Sequence, residues 1–139
     1  LRMKIIKKYV NDIAYKIVGC AIEVHNQLGP GLLESVYETC FVEELISQGF
    51  IVQRQVPIPI VYKGKDLGTT LVLGLLVNDL IIVEIKAVEV MIPVFKAQLL
   101  SYLNLTGKPK GLLINFHCEN IIDHLVPLVT NEFAKLPES

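Results

Sequence analysis

The sequence predicts an α/β domain in which a mixed β-sheet is flanked by helices. Three observations lead there. Apolar residues recur at helical spacing over two successive segments, the period then shortens to that of strands, and a proline-started helix separates two further apolar strands. A right-handed crossover through that last helix lays the strands on either side of it parallel. The 139 residues suit a single domain over residues 1–139, with 1–10 as an N-terminal arm and 118–139 as a less defined C-terminal tail.

Each element has a local cause. Asn11 is a suitable N-cap for a first helix whose buried face carries Ile13, Ile17, Ala21, Val24 and Leu28. Gly29-Pro30 stops it, and Gly31 lets the chain turn at once into a second helix from Leu32 to Gln48, with Leu33, Val36, Tyr37, Cys40, Phe41 and Leu45 along one stripe. After Gly49, Phe50 to Gln55 and Ile58 to Tyr62 read as strands, and Pro57 and Pro59 confine that stretch to a sheet edge or a bulge. Lys63-Gly64-Lys65 is a turn. Thr70 to Val77 and Leu80 to Ala87 are the most apolar strands, the sheet centre, joined at Asn78-Asp79 as a hairpin. Pro93 opens a third helix through Ala97, Leu100 and Leu103, Gly107 ends it, and Gly111 to Phe116 returns as a buried strand.

Composition excludes several classes. Hydrophobic residues make up 52% and charged ones 19%, against about 45–50% and about 25% in ordinary domains, which excludes disorder and a coiled coil. A mean hydropathy of +0.50 suggests apolar surface covered by a second copy, so a homodimer is expected. The net charge of -1 argues against coating nucleic acid through bulk positive charge, leaving local basic patches. Asn78-Asp79 breaks the longest apolar stretch, Leu71 to Val83, well short of the roughly 18 residues of a membrane helix. The start Leu1-Arg2-Met3-Lys4 lacks the order of a secretory signal, and Leu1-Arg2 reads as an addition ahead of Met3, so the cytoplasm is expected. Cys20, Cys40 and Cys118 have no paired spacing and read as free buried thiols.

The strongest anomaly is a pair of charges inside the most apolar strand. Glu84 and Lys86 stand two apart in Leu-Ile-Ile-Val-Glu-Ile-Lys-Ala-Val, so they point to the same face. Desolvating an ion costs several kcal/mol, and two arrangements compensate it. One is a structural ion pair. The other is a cleft in which the carboxylate holds Mg2+ and the lysine steadies a water or a phosphate, the set that phosphodiester hydrolysis needs.

Gly31-Leu-Leu-Glu34-Ser-Val-Tyr37, with its flanks Glu23-Val-His25 and Leu28-Gly-Pro-Gly31, resembles the GxxExxY signature of a small bacterial and archaeal family. That family is placed in the PD-(D/E)XK nuclease superfamily, and the resemblance extends from about Asn11 to Phe116. It implies a restriction-endonuclease-like core, Glu34 and Glu84 as metal ligands, Glu84 and Lys86 as the E-x-K pair, and Gln98 with Tyr102 as the Q-x-x-x-Y helix of RecB-like nucleases. It also implies Mg2+ or Mn2+ as cofactor if the protein is active, and DNA or RNA as partner. One position departs. Related sequences carry an aspartate in the strand before E-x-K, where this chain has Val72-Leu73-Gly74; Asp79 lies in the turn and Asp66 is farther away. Because a misplacement of about 1 Å can cost about 100-fold, nuclease activity is expected to be severely reduced or absent. The alternative is an inactive scaffold for nucleic acid or a protein, with Glu84 and Lys86 as a buried ion pair. A strict two-residue turn at Asn78-Asp79 would put Gly74 on the face opposite Glu84, so a damaged site requires an odd loop or a bulge.

Each residue also has a plain structural reading. Glu34 suits the acid-favouring first turn of a helix, and Tyr37 suits a core aromatic whose hydroxyl finds a partner. Gln98 and Tyr102 share a helix face and fit either an interior hydrogen bond or phosphate positioning. His25 is expected to be structural, bonded to Glu34 or to the Gly29-Pro30-Gly31 corner. His117, Cys118, Asp123 and His124 match no common zinc spacing. Lys63, Lys65, Lys108 and Lys110 are turn residues, either solvated or in contact with phosphate.

Overall fold

The computed structural model describes residues 4–139, so the reading of Leu1, Arg2 and Met3 lies outside the described residues. Two helices, α1 (Lys7–Leu28) and α2 (Glu34–Ser47), precede strands β1 (Val52–Tyr62), β2 (Lys65–Val77) and β3 (Ile81–Lys86). Helix α3 (Pro93–Thr106) leads to β4 (Lys110–Asn115). A 3-10 turn (Ile121–His124), β5 (Leu125–Val129) and α4 (Asn131–Ala134) complete the chain. The sheet order is β1-β2-β3-β4-β5, with β3 and β4 parallel and the other neighbours antiparallel. The expected mixed sheet flanked by helices is therefore the architecture observed, and β3 is its central strand.

Several boundaries differ from expectation for local reasons. Helix α1 starts at Lys7 rather than after Asn11, so part of the expected N-terminal arm is helical; its N-cap is Ile6, without a side-chain cap. Asn11 lies within α1, and its Oδ1 accepts from Lys110 Nζ at 3.0 Å. The second helix begins at Glu34, two residues later than expected, because Leu33 is still extended. The two predicted short strands around Pro57 are one long strand, since the prolines lie on an outer edge, where a missing N–H costs no ladder bond. In the tail, β5 pairs with β4 and closes the other edge.

Apolar alternation distributes the core over both faces. Leu75, Val77, Ile81, Val83 and Ile85 pack with Phe41 and Leu45 of α2 and with the buried face of α1. Leu76, Ile82 and Leu113 pack on the other face with Leu99, Tyr102 and Leu103 of α3. The α1–α2 corner is fixed by Tyr37, which is fully buried and stacks on Phe116 with ring centroids 4.9 Å apart. Its hydroxyl donates to Gly29 O at 2.5 Å and accepts from Leu32 N at 3.2 Å. Gly29 (φ 67°) and Gly31 (φ 101°) take backbone conformations that favour glycine.

The β2–β3 connection settles the register. Val77 pairs with Ile81, so the loop is Asn78-Asp79-Leu80, three residues rather than two. Asn78 and Asp79 both adopt left-handed backbone angles, which Asn and Asp tolerate. Continuing the register past Leu75–Val83 sets Gly74 opposite Glu84.

If Tyr37 holds the corner, Tyr37→Phe keeps the ring and loses both hydroxyl bonds. The expected cost is about 1–3 kcal/mol in urea unfolding. An unchanged urea midpoint would show that the corner stands without the hydroxyl.

Candidate functional site

Glu84 and Lys86 follow Ile82 at two-residue spacing, which places them on the α3 face at the C-terminal end of β3. Both are half-buried. The β2–β3 pairing stops at Leu75–Val83, and one residue farther Gly74 N donates to Glu84 Oε1 at 3.2 Å. The missing side chain is what admits the carboxylate. A Cβ built at Gly74 would lie 2.8 Å from Glu84 Oε2 and 3.2 Å from Val83 O.

The strands are irregular at the same level. Leu75 faces the α1–α2 core whereas Leu73, two residues away, packs with α3, and Val52 and Val56 of β1 divide in the same way. Residues two apart in a regular strand share a face, so both strands turn over here. On β1 the turnover coincides with Gln55, which has a φ of 51°.

The charges around Glu84 come from three elements. Burial raises its carboxyl above the ordinary value of 4.5. The Gly74 N–H and Lys86 oppose that rise, while Glu34 and Glu38 of α2 add to it. Glu38 is also held by Arg54 of β1, with Oε2 2.9 Å from Nη2. On the α3 side, burial and then Glu84 raise the Tyr102 hydroxyl.

Sequence-predicted residues are thus partly assembled. Gly74 and Glu84 are in direct contact, and Glu34 and Tyr102 lie within the electrostatic reach of Glu84. Lys86 is not in a direct ion pair with Glu84, which corrects the buried-pair alternative: its Nζ lies 4.6 Å from the centre of the Phe95 ring. The aromatic face supplies the cation's partner. Gln98 is exposed and makes no side-chain hydrogen bond among the described residues, so the structure does not show the interior hydrogen bond between helices that is one of its two readings. Glu34 is exposed at the first position of α2.

The remaining candidates have structural partners. Gly31 and Tyr37 build the corner. His25 is buried and its imidazole donates from Nε2 to Cys118 O at 2.7 Å rather than to Glu34 or the glycine corner, which it meets only through its backbone carbonyl, the acceptor of Gly29 N at 2.8 Å. Asp79 pairs with Lys108 at the opposite end of β3, and Asp66 Oδ1 accepts from Gly68 N two residues along β2. A groove of about 300 Å³ between α1 and α2 is lined by Lys16, Gly19, Cys20, Glu23, Glu44 and Gln48 and contains none of the predicted site residues.

Two residues escaped the sequence reading although a signal existed. Glu38 stands one turn after Glu34 on the same side of α2, the spacing at which two helical acids act together. Asn115 is a polar residue ending an apolar strand and is 1% exposed; it accepts from Val88 N and donates to Val88 O, fixing the chain just after Lys86. The contribution of Arg54 depends on a contact between β1 and α2 that no local pattern marks.

The donor set does not fit a resident divalent cation. No group of three or more His, Cys, Asp or Glu side chains able to hold a metal ion forms among the described residues. Glu84 is engaged by Gly74, Glu38 by Arg54, and Glu34 projects from an exposed turn.

The raised Glu84 carboxyl predicts a pH effect. The native chain keeps this proton to a higher pH than the unfolded chain does, so its contribution to stability is complete below about pH 4.5 and declines as pH rises through the folded value. Glu84→Gln should remove that decline, seen as a flatter urea midpoint against pH. Superimposable pH profiles would contradict the buried carboxyl.

A protein-family model described as the PD-(D/E)XK nuclease superfamily matches residues 11–125. No curated protein and no solved structure matched the chain. The mixed five-stranded sheet with helices on both faces is consistent with the restriction-endonuclease-like fold. With most of its length matched, the chain belongs to the PD-(D/E)XK nuclease superfamily.

Proposed function

We propose that the chain is a nuclease-like domain of the GxxExxY group in which phosphodiester hydrolysis is severely reduced or absent. The group assignment is supported by Gly31 in a backbone conformation that favours glycine, Glu34 at the start of α2 and the Tyr37 hydroxyl on the intervening corner. Superfamily members generally use Mg2+ or Mn2+. Here one observation carries the reading. Gly74 stands where the partner carboxylate is expected, and Glu84 has folded into the vacated space against its N–H.

What remains in place are the groups that act on a phosphate or a water. Lys86 is held by Phe95 beside the acid, and Tyr102 flanks the carboxyl from α3. A raised Glu84 accepts a proton more readily than an ordinary glutamate, so it suits proton exchange with a nearby water better than charge-based holding of a cation. DNA or RNA is the substrate class that the superfamily suggests.

Cleavage of single- and double-stranded DNA and RNA in Mg2+ or Mn2+ tests the proposal. The chain itself should cut at background. Gly74→Asp should gain metal-dependent cutting that Lys86→Ala abolishes, since the obstruction is mainly the mobile end of Glu84. Efficient metal-dependent cutting by the unaltered chain overturns the proposal. An intact but inert Gly74→Asp protein favours an inactive scaffold.

A further inference from the structure

The outer part of the long hairpin, beyond Ile58 and Leu71, which still pack against the α3 cluster, is an unpartnered feature. Pairing of β2 with β3 ends at Leu75, yet β1 and β2 continue together to Tyr62–Lys65, forming a two-stranded arm. Every residue from 61 to 70 is exposed. An isolated two-stranded ribbon is only marginally stable in water, so an arm this long suggests an external role.

Its tip combines positive charge with unfavourable turn chemistry. Tyr62 pairs with Lys65, making Lys63-Gly64 a two-residue turn in which both residues have positive φ, 51° and 79°. Such a turn favours Asn or Gly at its first position, whereas a lysine there incurs about 1–2 kcal/mol of backbone cost. Neither Lys63 nor Lys65 has an ion-pair partner among the described residues. The only acid beside them, Asp66, accepts from Gly68 N, and Lys63 Nζ lies 5.5 Å from the centre of the Tyr62 ring. The tip therefore presents to solvent two ammonium groups outside any ion pair among the described residues, one carboxylate and an aromatic ring, a net charge of one plus.

Distance from the acidic site matters equally. Gln55, opposite Gly74, and Tyr62 are seven strand residues apart, about 23 Å. A duplex carries one phosphate per about 3.4 Å on each strand, so this spans about seven base pairs. Glu34, Glu38 and Glu84 repel a polyanion at the site. Their field fades over a Debye length of about 10 Å at 0.1 M salt and leaves the tip lysines free to attract.

We propose that the β1–β2 arm is a nucleic-acid grip in which Lys63 and Lys65 hold backbone phosphates away from the Gly74–Glu84 site. The grip rests on the nuclease-like reading for the identity of its partner, but it does not require hydrolysis. Pro57 and Pro59 blunt the outer edge of β1 against strand pairing, which favours contact through the tip over extension of the sheet.

Fluorescence anisotropy of the full chain with a labelled DNA duplex and its single strand, across about 50 to 200 mM salt, tests the grip. Lys63→Gln with Lys65→Gln should lower the slope of log affinity against log salt by about 1.8 on duplex and about 1.4 on single strand. Over that range the unaltered chain should then lose about tenfold more duplex affinity than the variant. Lys63→Arg with Lys65→Arg should restore the slope, and thermal unfolding of all three should agree because the turn is exposed. An unchanged slope in the glutamine variant, or no binding by the unaltered chain, overturns the grip. So does a dimer that Val61→Asp with Leu67→Asp dissociates while the lysine changes leave binding unaltered, which would make the arm a self-association surface. Arm-dependent binding together with strong cutting by the unaltered chain would support the grip and overturn only the reading of impaired hydrolysis.

Discussion

The hydrogen bond between the Gly74 N–H and the Glu84 carboxylate is the constraint around which the site is organised. A carboxyl on the central strand of a buried sheet must regain part of the hydration it loses. Here one oxygen takes a backbone N–H that the ended β2–β3 ladder leaves free, and the other occupies the space a side chain at position 74 would fill. The carboxyl still sits above its ordinary pKa, so the compensation is incomplete. A charge held in this way stabilises its surroundings less than a neutral group would.

The neighbouring groups follow from that arrangement. Lys86 shares the face of Glu84 but finds an aromatic ring, leaving Glu84 without a direct counter-ion among the described residues. Arg54 meets Glu38 instead, and this bridge links the second helix to the edge hairpin at the level where both strands of that hairpin turn over. The result is a mixed patch of acids and bases joined by nearby charges rather than one tight cluster. Among the described residues this patch forms no group of three or more side chains able to hold a metal ion.

The framework and the charged patch are built from different residues. Tyr37, Phe116, His25 and Asn115 fix the two-helix corner and the chain on either side of β4 through buried contacts and backbone hydrogen bonds. The signature residues Gly31 and Tyr37 belong to this framework. Only Glu34 of that signature acts on the charge of Glu84. A motif recognised as one unit in the chain is therefore divided in the fold between a corner and a site.

Local pattern by itself determined the three long helices, the confinement of the proline-bearing strand to an edge or a bulge, the parallel return of the last core strand and the anomaly at Glu84 and Lys86. Each follows from spacing, from the missing proline N–H or from the cost of burying charge, and all are properties of neighbouring residues. The three-residue loop at Asn78-Asp79-Leu80 was not fixed by pattern, because Asn and Asp accept left-handed angles in loops of more than one length. Tertiary structure alone decided that Gly74 would oppose Glu84, that His25 would reach Cys118, and that Glu38 would meet Arg54. These are contacts across 10, 93 and 16 residues of chain, and they depend on how strands register and helices dock, which a single residue's preference does not encode.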